Sequence, residues 1–111
     1  MMIEEYTLNF ENDAQCQTAK LQAQVFLDDL DEELIVFCEV YGRNNLARLH
    51  IDQFRPYDGF ESVFQARTLT TVYPSRPECE AAAERITLAS GAETICAGQG
   101  AEFRVHSLSL N

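Results

Sequence analysis

The sequence predicts an α+β domain: a mostly antiparallel sheet with one long helix in the C-terminal half, and a second, N-terminal helix on the same face as one of two readings of residues 14–30. Three observations point there. Several stretches alternate apolar and polar residues at the period of two expected of half-buried strands. One stretch, residues 76–90, repeats its apolar residues at steps of three and four behind a helix start signal. The connections are short, which leaves little room for the crossovers that a parallel sheet needs. At 111 residues the chain is of single-domain size, so one domain over 1–111 with one core is expected.

Taken in order, Tyr6, Leu8 and Phe10 alternate with Thr7 and Asn9 and place a first strand over Glu4 to Phe10. Glu11-Asn12-Asp13 follows as a turn or helix cap. Ala14 to Leu30 carries both periods. Cys16, Ala19, Ala23, Phe26 and Leu30 would line a helix, whereas Ala19, Leu21, Ala23, Val25 and Leu27 would line one face of a strand. The acids beyond Leu27 would crowd the negative end of a helix, which tilts the reading towards a strand over Thr18 to Leu27. Leu34 to Tyr41 is apolar on both faces except for Glu39 and reads as a central strand. Gly42-Arg43-Asn44-Asn45 has the residues of a tight reversal into Leu46 to Phe54, with Ala47, Leu49 and Ile51 on one face and Arg48, His50 and Asp52 on the other.

Arg55-Pro56-Tyr57-Asp58-Gly59 is a turn by composition, and Ser62 to Tyr73 alternates as a further strand until Pro74 stops it. Ser75-Arg76-Pro77-Glu78 has the form of a capping box. Cys79, Ala82, Ala83, Ile86 and Ala89 then make an apolar stripe that ends at Gly91, a residue suited to the left-handed cap. Glu93 to Ala97 and Phe103 to Leu110 close the chain as two strands joined through Gly98-Gln99-Gly100. No internal repeat or linker stands out.

Charge is the most informative global quantity. The chain holds 18 acidic and 8 basic residues, a net charge of -10. Residues 1–42 carry ten acids against Lys20 alone, while residues 43–111 carry eight acids against seven arginines. Such a field repels nucleic acid and anionic membrane and attracts a basic partner. No apolar run approaches the ~18 residues of a membrane span. The Met1-Met2-Ile3-Glu4-Glu5 start has acids where a signal peptide would have basic residues, so a cytoplasmic protein is expected. Cys16, Cys38, Cys79 and Cys96 form no C-x-x-C pair and read as reduced, buried thiols, although an even number also allows two disulfides in three pairings.

No pattern carries a recognisable chemistry. His50 with Arg48 and Asp52, and His106 with Arg104 and Glu102, share strand faces and read as polar residues on solvated sheet faces rather than as acid–base groups. Two histidines and scattered cysteines without a local pair define no metal site, and Gly98-Gln99-Gly100 lacks the helix and third glycine of a dinucleotide loop, so no metal, cofactor or catalytic residue is expected. The run Asp28, Asp29, Asp31, Glu32 and Glu33 is the candidate partner-binding site. Carboxylates on alternate strand residues lie ~6.8 Å apart, a spacing comparable to that of successive phosphates.

The expectation is therefore a non-enzymatic acidic protein that docks on a basic protein or nucleoprotein complex without touching nucleic acid or membrane, as a virus-encoded, anti-CRISPR-like inhibitor of a nucleic-acid-handling complex would. The alternatives are a small enzyme or ligand-binding domain, with a homodimer as one form, and a structural or assembly subunit.

Overall fold

The computed structural model describes residues 2–27, 34–55, 59 and 64–110. In chain order these form β1 (Met2–Phe10), α1 (Asp13–Leu27), β2 (Leu34–Tyr41), β3 (Leu46–Arg55), β4 (Phe64–Thr68), α2 (Arg76–Ser90), β5 (Glu93–Gln99) and β6 (Glu102–Leu110). The α+β class holds. The single sheet does not: the strands make two three-stranded antiparallel sheets, ordered β1-β3-β2 and β4-β6-β5.

Each half thus runs strand, helix, strand, strand, with its last strand in the centre of its sheet. The likeness extends to residues. Cys16 and Cys79 each stand fourth in a 15-residue helix. In β1, β3 and β2 the row Leu8–Leu49–Cys38 lies side by side. The second half matches it with Leu69, whose N–H donates to the Val105 carbonyl at 2.9 Å, and with Cys96 paired to Val105. The neighbouring rows are Thr7–His50–Phe37 and Thr68–His106–Ile95. The chain is a duplicated βαββ unit, which its sequence conceals because few side chains other than these coincide.

The segment read towards a strand over Thr18 to Leu27 is helical. Asn12 caps α1, its side-chain carbonyl accepting from the Gln15 N–H at 2.9 Å. Cys16, Ala19, Ala23 and Leu27 are buried at helical spacing. Burying that stripe outweighs the few tenths of a kcal/mol at stake at the helix end. In α2 the expected caps are present: the Ser75 hydroxyl accepts from the Glu78 N–H, and Gly91 at φ 73° donates its N–H to the Thr87 carbonyl. Of Ser62 to Tyr73, residues 62–63 lie outside the described ones; the remainder is strand over β4, with Tyr73 rejoining β6 at a single bridge to Phe103. Leu34 to Tyr41 is a strand as expected, but it forms the edge of its sheet rather than the centre.

Two apolar clusters replace the one core expected. The larger joins α1 to the inner face of the first sheet (Leu8, Phe10, Leu49, Ile51) and also takes Phe64, Ile95 and Leu108 from the α2-free face of the second sheet. The smaller lies between α2 and the other face of that sheet, around Cys79, Ala82, Phe103 and Val105. The four cysteines are not free thiols. Cys16 bonds Cys38 and Cys79 bonds Cys96, each disulfide tying a helix to a strand beside the central one, with Cα separations of 6.2 and 5.8 Å. Sequence distance hid these pairs, because the duplicated unit alone brings each helix's first turn over its sheet.

Candidate functional site

The fold leaves its two sheets unequal. The second is buried on both faces, by α2 on one side and by the first unit on the other. Among the described residues the first is covered only on its inner face, with no helix or strand on its outer face. That outer face carries Ile3, Glu5, Thr7 and Asn9 from β1, Arg48, His50, Asp52 and Phe54 from β3, and Ile35, Phe37, Glu39 and Tyr41 from β2, as the antiparallel register requires. Ile3, Ile35 and Phe37 stand exposed there.

His50 lies at the centre of this face and is not the solvated group its alternating pattern suggests: only 8% of it is exposed. The Phe37 ring stacks on it at 4.6 Å between centroids and 8° between planes. Its Nε2 lies 3.2 Å from a Glu39 oxygen and its Nδ1 3.6 Å from a Glu5 oxygen. Glu5 stands directly opposite Asp52 across the β1–β3 pair. Burial pushes the Asp52 carboxyl above the ordinary carboxylate range, the Glu5 charge and a hydrogen bond to Glu5 push it further, and His50 pulls the other way. Three carboxylates therefore ring one imidazole. Arg48, the one cation on the face among the described residues, lies over the Tyr41 ring and donates from Nε to Asn9 at 3.1 Å.

The second histidine occupies the corresponding place in the other unit but faces the interior. The Tyr6 hydroxyl and His106 Nδ1 are 2.7 Å apart, and Thr68 Oγ1 lies 3.1 Å from the same nitrogen. Burial and then the charge of Arg104 lower the His106 pKa to about 4, so the ring is neutral near pH 7 and accepts from Tyr6. Burial raises the Tyr6 pKa, only partly offset by its hydrogen bond with Thr68, which keeps the phenol protonated as the donor. A recess of about 300 Å³ beside this group is lined by Thr68, Gly98, Arg104 and His106 among others.

The run Asp28, Asp29, Asp31, Glu32 and Glu33 lies outside the described residues. The cluster that the structure does assemble, Glu5, Glu39, His50 and Asp52, was half visible: His50 and Asp52 alternate on one strand, but Glu5 and Glu39 join them only through strand pairing. No family model, curated protein or solved structure matches the chain. Among the described residues no helix is long and apolar enough to cross a membrane.

Proposed function

We propose that the protein acts by binding rather than catalysis, and that its partner is a basic polypeptide segment docked on the outer face of the first sheet. One observation carries this reading: exposed Ile3, Ile35 and Phe37 sit among Glu5, Glu39 and Asp52 on a face that no described helix or strand covers. Apolar side chains supply contact area for the stem of an arginine or lysine, and the carboxylates receive its charge. The acids of residues 28–33 immediately precede β2 in sequence and add to the same field. The narrower reading, an inhibitor that occupies the nucleic-acid groove of a viral host's defence complex, draws its support from charge alone. The two disulfides favour an oxidising compartment over the cytoplasm expected from the sequence, because cytosolic thiols are kept reduced.

Binding to an arginine-rich peptide, followed by fluorescence anisotropy at rising salt, tests the proposal. The affinity is expected to fall with salt, and Phe37→Ala and Glu39→Gln are each expected to weaken it by about tenfold. Neutralising Glu80 and Glu84 on α2 is expected to change it little. Equal binding by wild type and both outer-face variants would refute the assignment, and self-association lost in Phe37→Ala would give the face to a second copy instead. A small-ligand reading has one observation in its favour, the recess that places Arg104 beside His106.

A further inference from the structure

The outer face holds an arrangement that docking a basic segment does not require. His50 Nδ1 and Asp52 Oδ1 are both buried, and neither has a hydrogen-bond partner. One ligand atom from each of Glu5, His50 and Asp52 lies within 4.8 Å of the others. Glu39 is a carboxylate and can only accept, so Nε2 carries the hydrogen it receives, and Nδ1, turned towards Glu5 and Asp52, is the nitrogen a metal would take. That nitrogen and the carboxyls of Glu5 and Asp52 converge on one point, where a cation would displace the proton that the Glu5–Asp52 hydrogen bond holds. Phe37 stacked on the ring and Glu39 bonded behind it hold the imidazole in that orientation.

We infer that Glu5, His50 and Asp52 form a binding site for a divalent transition-metal ion, with His50 coordinating through Nδ1 and Glu39 acting as its positioning residue. One imidazole and two carboxylates suit zinc or manganese, and a carboxylate behind a ligating histidine is the usual outer-shell partner. Metal–ligand distances of about 2.0–2.2 Å require donor atoms roughly 3.0–3.4 Å apart. Nδ1 and the Glu5 oxygen are already near that at 3.6 Å. The half-exposed Glu5 side chain can rotate to close the remainder, and the Asp52 oxygen, within 4.8 Å of both, moves in on binding while the buried imidazole stays in place. The site leaves coordination positions open towards solvent. It stands independently of whether a basic segment docks on the same face.

The test is calorimetric titration of the intact oxidised protein with Zn2+, repeated while following the His50 ring by 1H–15N NMR. Saturable one-to-one binding with a dissociation constant below about 100 µM is expected, with the Nδ1 resonance of His50 shifting in step. Glu5→Gln, a change at an exposed side chain that leaves the fold intact, is expected to weaken binding at least tenfold. Glu39→Gln is expected to weaken it roughly tenfold through His50. Replacing Asp28, Asp29, Asp31, Glu32 and Glu33 by Asn or Gln is expected to leave it unchanged. Three results would overturn the inference: no saturable binding, binding that leaves the His50 ring unmoved, or binding retained in Glu5→Gln and lost when the 28–33 run is neutralised.

Discussion

Acid should weaken this protein through His106 in particular. Its pKa is lowered from 6.5 to about 4 in the folded chain, by burial first and by Arg104 second. The unfolded chain therefore binds a proton at this ring between those two values while the folded chain does not. Stability is full above pH 6.5, falls as the pH drops, and has lost the whole contribution below pH 4. A shift of this size, at about 1.4 kcal/mol per unit, corresponds to ~3 kcal/mol between pH 7 and 4, and discounting for the solvent reached by the ring's open edge leaves about 2 kcal/mol. Tyr6 and Thr68 are bonded to the ring, while Arg104 and Glu102 line the same recess; the lowered pKa shows that burial and the Arg104 charge prevail there. His106→Gln keeps an acceptor for the Tyr6 hydroxyl but cannot titrate. Urea midpoints for both proteins at pH 7, 5.5 and 4 isolate the effect, because every other titrating group is common to the two. The wild type is expected to lose its advantage over His106→Gln, or to fall below it, as the pH drops to 4. A stability difference between the two that stays constant across that range would refute the reasoning.

The disulfides and the second hairpin offer two further tests. Closing loops with sequence separations of 22 and 17, the disulfides should each contribute about 3 kcal/mol through the unfolded chain. Protein unfolded without reductant should expose no reactive thiol, and Cys16→Ser with Cys38→Ser should lower the urea midpoint. Four titratable thiols would show that the pairs do not form. Gly98 lies at φ 152° in β5, where an added Cβ would fall on the Glu102 carbonyl oxygen and within 2.7 Å of the Phe103 Cα. Both are backbone atoms that cannot turn aside, so Gly98→Ala is expected to cost more than about 2 kcal/mol. Gly91→Ala, which only strains an open helix cap, should cost about 1 kcal/mol. Equal melting points for the two variants would count against the close approach.

How much of this was legible varies by element, for physical reasons. The caps of α2 are local chemistry, so Ser75, Glu78 and Gly91 marked its ends in the sequence. α1 was ambiguous because its small and medium apolar residues satisfy both periods; the sheet it packs on decides, and two of that sheet's three strands, β2 and β3, lie beyond it in the chain. Leu34 to Tyr41 misled in the opposite way. An apolar pattern on both faces suggested a central strand, yet β2 is an edge, and its outward Ile35 and Phe37 are exposed. That apolarity is a property of the outer face and not of burial within the sheet. The reduced-thiol reading failed for want of pairing information, since no spacing rule links a helix's first turn to the strand that follows it. The candidate metal ligands failed similarly, since only the register Glu5↔Asp52 and Phe37↔His50 assembles them.

The two units differ most in what surrounds the histidine of their central strand. Both units place an arginine, an aliphatic residue and a histidine in their central strand, Arg48-Leu49-His50 and Arg104-Val105-His106, with a threonine beside each histidine. From the same scaffold position the two rings meet opposite surroundings. In the second unit the face that bears His106 is closed by the first unit; its neighbours are Ala66, Ile95, Ala97 and Leu108, and Tyr6 supplies a hydroxyl from across the sheets. In the first unit the equivalent positions are Glu5, Phe37, Glu39 and Asp52, and nothing described lies over them. Structural need accounts for the apolar set, because a covered sheet face must exclude unpaired charge. It does not account for three carboxylates gathered around a buried imidazole. A face required only to be soluble would spread its charges to reduce repulsion and would not bury Nδ1 of a histidine against them. The excess of acceptors on the open face is the feature that the fold alone leaves unexplained, and either proposed ligand, a metal ion at His50 or a basic side chain laid across Phe37, would bring the positive charge to balance it.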